Sequence, residues 1–351
     1  MVNEIFLLTL ALLLTALLIW GFRTLPTESW QIAASVPLAK DATGHWHGLN
    51  LTYYGVFQAS AYTLAVALLF VLMGAVGVPA GGTIVLAGVF LAVSVPAATL
   101  VARLVERKRA TFTVGGAVFV AVLLGPWALV ATNRLLGREL GIELPLAAAL
   151  AATAIAYALG EGVGRLACVS FGCCYCKPLS RLSPRLRRLF ARYSFVFSGP
   201  TKKIAYEGGL EGERVVPIQG MTAALFVSVA LGGMALFLHG HYRLALGATF
   251  LATQAWRFLS ETLRADYRGR AKKVSAYQVM ALVGMLYMLA LLPFLPAQDL
   301  SRADILAGLT PLWDPGLLLG LQGLWLAIFL HTGRSVVTGS ILSFHVRREF
   351  V

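Results

Sequence analysis

Acidic side chains are scarce in this sequence: 16 Asp and Glu stand against 29 Lys and Arg in 351 residues. Charged residues of both signs reach only 13%, too few to cover the surface of an ordinary soluble domain. Cysteine is also sparse, and Cys168, Cys173, Cys174 and Cys176 all fall in one short stretch, 168–176. Thiols clustered in this way, not spread in pairs along the chain, argue against a disulfide framework. The chain lacks a low-complexity linker and an internal repeat, so its apolar part is treated as one domain. It also lacks the ten-residue alternation of an outer-membrane barrel.

What the sequence has in abundance is apolar residues, 58% of the total, with a mean hydropathy of +0.77. They come in blocks long enough to cross a bilayer, and hydrocarbon leaves backbone polar groups no partner outside a helix or a closed barrel. The expected fold class is therefore an all-α polytopic membrane protein, a bundle of about nine transmembrane helices with a small extramembrane insert. The runs lie near 4–21, 53–77, 80–104, 113–132, 145–162, 218–238, 244–262, 275–296 and 314–331. The first has no basic segment before it and no small-residue cleavage site after it, and reads as a retained helix.

The chain divides into an N-terminal helix and interfacial arm (1–52), a first part of the bundle (53–166), an extramembrane insert (167–216), a second part of the bundle (217–296), and an extra C-terminal helix and tail (297–351). The arm carries His45, Trp46 and His47 and reads as an amphipathic segment on the membrane surface. In the insert, the Arg/Leu-rich section reads as an interfacial helix with snorkelling arginines, and the Gly-rich section after it as a turn or hairpin.

The net charge of +13 points to anionic lipid head groups, and no nucleic-acid partner is expected. Basic residues gather after the third, fifth and seventh spans, as in Arg107, Lys108 and Arg109, in Arg181, Arg185, Arg187, Arg188 and Arg192, and in Arg268, Arg270 and Lys272. Alternating spans put these connections on one face, which the positive-inside rule makes cytoplasmic.

Two polar constellations carry the functional reading. The first is GRLACVSFGCCYCKP at 164–178, where Arg165 stands at the end of a hydrophobic span. An arginine at membrane depth needs a partner or a polar cavity. Glu161, four residues earlier, is a counter-charge for Arg165 or, if desolvation raises its pKa, a base. The C-C-x-C spacing lacks a second ligand pair at zinc-site distance, so no metal and no cofactor are expected. A thiolate activated by neighbouring cations, or simple packing in a tight turn, are the remaining readings for Cys173 and its neighbours. Tyr175 lies close enough to Arg165 in sequence to be a further candidate base. The second constellation is RFLSETLRADYRG at 257–269. Arg257, Glu261 and Arg264 are spaced i, i+4, i+7, on one face of a helix. They read either as an ion-pair ladder between helices or as a phosphate clamp, because a guanidinium fork can grip two phosphate oxygens.

These two motifs, in this order, resemble the prolipoprotein diacylglyceryl transferase family over roughly 46–296. The family's GR-x-G-N/C-F-x-x-G-x-x-x-G-R signature is matched by GRLACVSFGCCYCK, and its R-F-x-x-E-F-x-R helix followed by R-G is matched by RFLSETLRADYRG. PIQ at 217–219 resembles the family's Pro-x-Gln, and VSAYQVMALVGM resembles the Ser-x-x-Gln opening of its last common helix. The resemblance implies transfer of a diacylglyceryl group from phosphatidylglycerol, with Arg165 and Arg257 catalytic and holding the glycerophosphate. Glu261 and Arg264 would support Arg257, and Gly115, Gly116 and Arg268 complete the implied binding set. The chain departs from the family where Val114–Gly115–Gly116 replaces His-Gly-Gly, and where Cys168, Cys176, Gly220 and Met221 replace family residues. The expected partners are an anionic phospholipid donor, an unidentified acceptor and the bilayer, in a multi-pass protein of the bacterial cytoplasmic membrane. The alternative is a phospholipid-binding or lipid-moving protein without transfer chemistry, and a thiol-redox or metal module stands third. The family places its signature loop outside the cytoplasm, opposite to the charge pattern.

Overall fold

A computed structural model describes residues 1–106, 114–135, 137, 141, 143–265, 274–296 and 303–351. In chain order the elements are α1 (Val2–Thr24), β1 (Ile32–Lys40), β2 (Trp46–Thr52), α2 (Tyr53–Ala75), α3 (Ala80–Val101), α4 (Val114–Leu135) and α5 (Leu146–Phe171). The insert holds α6 (Pro184–Phe190), β3 (Phe195–Val196), α7 (Lys203–Tyr206) and β4 (Arg214–Val215). Then follow α8 (Ile218–Leu238), α9 (Tyr242–Ser260), α10 (Ala276–Leu291), α11 (Ile305–Leu309), α12 (Pro315–Thr332) and β5 (Arg334–Leu342). Among the described residues eight helices are long and apolar enough to cross a membrane. The architecture is that of an all-α polytopic membrane protein.

The seventh expected span, near 244–262, forms as helix α9, but it is not one of those eight. Its buried residues include Thr249, Thr253 and Gln254, and it packs against α5, α8 and α10. Polar side chains are tolerated there because they meet protein, not lipid.

Helix α5 is the axis of the bundle, packed against α2, α8 and α9. Its alanines leave little side-chain bulk, which lets neighbouring backbones approach closely. The share of its apolar window that is buried, 67%, contrasts with 0% for α12, which lies at the periphery. The fifth span was expected to end near 162. The helix instead runs through three glycines to Phe171 and stops at Gly172. Gly172 adopts φ +71, and the amides of Gly172 and Cys173 both donate to the carbonyl of Cys168. This left-handed cap is the usual glycine exit from a helix. As a result Glu161, Arg165 and Cys168 lie on one continuous helix.

The arm, expected as an amphipathic segment on the membrane surface, is built of strands. Its residues form the β1–β2 hairpin, with Ile32 opposite Thr52 and Lys40 opposite Trp46. The turn is built on Asp41, whose carboxylate accepts from the Thr43 and His45 amides and lies 3.0 Å from His47 Nε2. The C-terminal tail supplies β5, which pairs antiparallel with β2 in a three-stranded sheet. Asn50, Ser35 and Ser340 link side chains across all three strands. The Arg/Leu section forms the short helix α6, and β3–β4 brackets the Gly-rich section as a hairpin.

This sheet and the insert adjoin the same end of the bundle, where Trp20, Trp30, Tyr53 and Phe57 cluster. Amphipathic rings of this kind favour a membrane–water interface. The insert is anchored by Lys202, which is fully buried. Its ammonium donates to the carbonyls of Leu25 (3.2 Å) and Ser170 (2.6 Å), at the C-terminal ends of α1 and α5.

Burial lowers the Lys202 pKa to about 8, with the Glu28 carboxylate only partly offsetting it. Between about 8 and the ordinary 10.5 the unfolded chain holds a proton that the folded protein has released. Stability therefore rises with pH across that window, by roughly 2–3 kcal/mol. The melting midpoint of the detergent-solubilised protein should climb over this range, and Lys202→Met should flatten the climb. An equal slope in the two proteins would contradict this role.

Candidate functional site

The principal cavity, about 610 Å³, lies between α2, α3, α4, α5, α9 and α10. That volume is in the range of small-molecule pockets. One part of its wall is apolar, formed by residues such as Phe90, Leu91, Val118, Val122, Leu246 and Phe250. The other part carries Tyr54, Gln58, Tyr62, Tyr157, Glu161, Arg165, Lys203 and Arg257. Lys203 is balanced by Glu207 at 3.5 Å, and the two arginines stand against the single carboxylate of Glu161, which suits this polar end to an anion. A smaller cavity of about 40 Å³ adjoins it and is lined by Glu261, Arg264, Gln219 and Tyr277. Arg165, Cys174 and Arg257 line both, so the two guanidinium groups stand together between the compartments.

Each guanidinium is held from a different side. Arg165 forms an ion pair with Glu161, one turn earlier on α5. Glu161 thus has the counter-charge role. Arg165 Nε is buried with no hydrogen-bond partner among the described residues. Leaving such a donor unmade costs about 1–3 kcal/mol, and a ligand oxygen would relieve it. Arg257 donates through Nη1 to the Tyr157 hydroxyl at 2.8 Å, and the Tyr157 ring meets Phe226 edge-on. Tyr157 sits on α5, two helical turns before Arg165. The central helix therefore positions both arginines.

The sequence motifs converge through backbone contacts. Cys176 and Arg264 form an antiparallel bridge, and the Ala265 amide donates to the Tyr175 carbonyl at 3.2 Å. Gln219, the last residue of PIQ, donates to the Cys173 carbonyl at 2.9 Å. Ser275 and Gln278 form a capping box at the start of α10, and Gln278 Nε2 also donates to the Phe258 carbonyl at 3.2 Å. These bonds hold the turn after α5 and the end of α9 in fixed relation.

Several expectations need correction. Arg257, Glu261 and Arg264 do not share one helix face: α9 ends at Ser260, Glu261–Leu263 is a 3-10 turn, and Arg264 is extended. The chain leaves the helix there to reach Cys176. Glu261 and Arg264 nevertheless line the smaller cavity with both arginines. Tyr175 does not line the principal cavity. It is buried, with its hydroxyl donating to Glu207 at 3.4 Å, so it is not a base for that site. Gly116 is packed against Val101, where an added Cβ would fall 2.4 Å from the Val101 Cβ. It joins α4 to α3 and binds nothing in the cavity. Cys173 and Gly115 do line the cavity. Arg268 lies outside the described residues.

The cysteines also group differently from their spacing. The sulfurs of Cys168, Cys173 and Cys174 lie within 4.8 Å of one another. Cys176 is buried instead in a separate apolar cluster with Leu179, Phe190, Val216 and Ile218. The cavity tyrosines, Tyr54, Tyr62 and Tyr157, were missed because an aromatic in an apolar run reads as core. Tyr157 carries one signal in retrospect, since it lies four residues before Glu161 and eight before Arg165 on the same helix face.

Comparisons with protein families, with curated proteins and with solved structures found no match to this chain.

Gly115 and Gly116 allow a direct test of the arrangement. A Cβ on Gly115 would fall 2.8 Å from Arg257 Nη2 and 2.9 Å from Tyr277 Cδ1. Gly115→Ala should push the guanidinium aside and break its hydrogen bond to the Tyr157 hydroxyl, with little change in melting midpoint. Gly116→Ala should do the reverse, costing about 1–3 kcal/mol of stability through its rigid Val101 contact. A structure and a melting curve of each variant would expose a reversed pattern.

Proposed function

We propose that this protein is an integral-membrane lipid transferase related to the prolipoprotein diacylglyceryl transferases, working in a bacterial cytoplasmic membrane. The observation that carries the reading is the shared cavity of Arg165 and Arg257, cationic at one end and apolar along the rest. A phospholipid such as phosphatidylglycerol matches that division, its phosphate at the guanidinium groups and its acyl chains along the apolar wall. Arginine suits this role because it cannot lose its proton and can grip two oxygens at once.

In the reaction, negative charge builds on the departing glycerol phosphate as the bond to the diacylglyceryl carbon breaks. Arg165 and Arg257, already oriented by Glu161 and Tyr157, stabilise that charge without reorganising. Glu261 and Arg264, in the adjoining small cavity, support the arginines from the other side. The acceptor enters with a nucleophile, a lipoprotein thiol or another thiol, hydroxyl or amine. Glu161 is engaged with Arg165, and Val114 occupies the place of the family histidine. That combination favours a second reading, in which the protein holds or moves phospholipid without cleaving it.

Incubating the purified protein with phosphatidylglycerol labelled in its head group separates the two. Release of labelled glycerol phosphate, dependent on an added acceptor, is expected of the transferase; retention of intact lipid without release is expected of the carrier. Arg257→Ala should weaken lipid retention by on the order of 10- to 100-fold, the effect of losing a buried charged hydrogen bond worth about 1.5–3 kcal/mol. Arg165→Ala should do at least as much, because it also leaves Glu161 unpaired. Undiminished lipid retention in both variants would rule out the phosphate clamp.

A further inference from the structure

We propose that Cys168, Cys173 and Cys174 form a three-thiolate site for a cation of the zinc class, with its fourth coordination position open to the principal cavity. The three sulfurs lie within 4.8 Å of one another, and Cys168 Sγ is 4.0 Å from Cys174 Sγ. Zinc–sulfur bonds of about 2.3 Å in a tetrahedral site put sulfurs roughly 3.8 Å apart. Shifts of a few tenths of an ångström to about one ångström therefore complete the site. A disulfide needs sulfurs about 2.05 Å apart, a much larger movement.

The local fold explains how residues six apart meet. Cys168 is on the last turn of α5, Gly172 ends that helix, and Cys174 (φ +56) turns the chain back over it. A non-glycine residue in that region costs about 1 kcal/mol or more. Gln219 holds the turn through the Cys173 carbonyl. All three cysteines line the principal cavity, so a fourth ligand has space to enter. An all-sulfur ligand set disfavours magnesium, calcium and manganese and suits zinc. Three thiolates with a divalent cation carry one negative charge; Arg165, paired with Glu161, has its Nη1 4.0 Å from Cys168 Sγ, and Lys203, 3.5 Å from Glu207, lines the same cavity.

The site stands on the disposition of the thiols alone; its use in transfer rests on the function proposed above. A thiol acceptor entering the fourth position loses its proton to solvent on coordination. The bound sulfur then forms a carbon–sulfur bond to the diacylglyceryl carbon. The carbon–oxygen bond breaks, and its electron pair leaves with the glycerol phosphate. The metal thereby supplies an acceptor activation that no residue at Val114 can.

The test is zinc content. The full-length protein, purified under reducing, oxygen-free conditions, is loaded with zinc chloride, desalted and analysed by mass spectrometry for metal. About one zinc per chain is expected, with Cys168, Cys173 and Cys174 more slowly labelled by maleimide than in the zinc-free protein. Cys168→Ser, Cys173→Ser and Cys174→Ser should each retain zinc at least about tenfold more weakly, and Cys176→Ser should retain it fully. Melting curves identify any variant that has failed to fold, and maleimide protection in the unmutated protein does not depend on the variants. A folded wild-type protein with no stoichiometric zinc and no zinc-dependent protection of its thiols would overturn the proposal. So would undiminished zinc in the variant lacking all three thiols. Arg257→Ala, which loses lipid under the reading above, should keep its zinc, so failure of the lipid assay and failure of the metal assay are separately visible.

Discussion

A guanidinium cannot shed its charge, and at membrane depth it cannot stand bare. Arg165 and Arg257 are therefore the constraint to which the rest of this structure answers. Glu161 pairs with the first and Tyr157 accepts from the second, and both supports come from α5. That helix is also the most enclosed of the apolar spans. Placing the charges on the axis of the bundle keeps them from lipid and leaves protein to supply their partners. Gly115 contributes by having no side chain, which leaves the Arg257 guanidinium its space.

Holding two arginines from distant parts of the chain in one cavity requires a rigid frame between them. The frame is mostly backbone. The turn after α5 is bridged to the segment after α9 through Cys176 and Arg264 and through Tyr175 and Ala265. Gln219 and Gln278, each opening a helix, reach across to carbonyls of the turn and of α9. Side chains mediate only the last contacts, so the turn's four cysteines are free to differ in role. Three face the cavity and one packs into a separate core.

Much of the membrane architecture was legible from composition and block length. Hydrocarbon imposes a single requirement, about 20 apolar residues per span, and eight helices meet it plainly. The helix expected near 244–262 forms as α9, although it is not among the helices apolar enough to cross a membrane. The parts misread were those where neighbours override local pattern. The i, i+4, i+7 spacing of Arg257, Glu261 and Arg264 is a sound helix signal, yet the helix stops at Ser260 because the chain bridges to Cys176. The C-terminal tail gave no sign of pairing with β2, since its partner lies nearly three hundred residues away in sequence and strand pairing is a non-local choice.

The sequence by itself determined that the chain spans a membrane many times and that Arg165 and Arg257 need an anionic or polar environment. Both follow from transfer free energies, which depend on residue type and not on neighbours. Only the tertiary structure decided that the two arginines share a cavity. It also decided that Cys168, not Cys176, joins Cys173 and Cys174, and that Tyr175 and Gly116 belong to the packing. Those outcomes depend on where α5 ends, which direction the turn takes after Gly172, and which faces α2, α4 and α9 present to the axis. A left-handed residue at Cys174 redirects three sulfurs, and no spacing rule along the chain encodes that rotation.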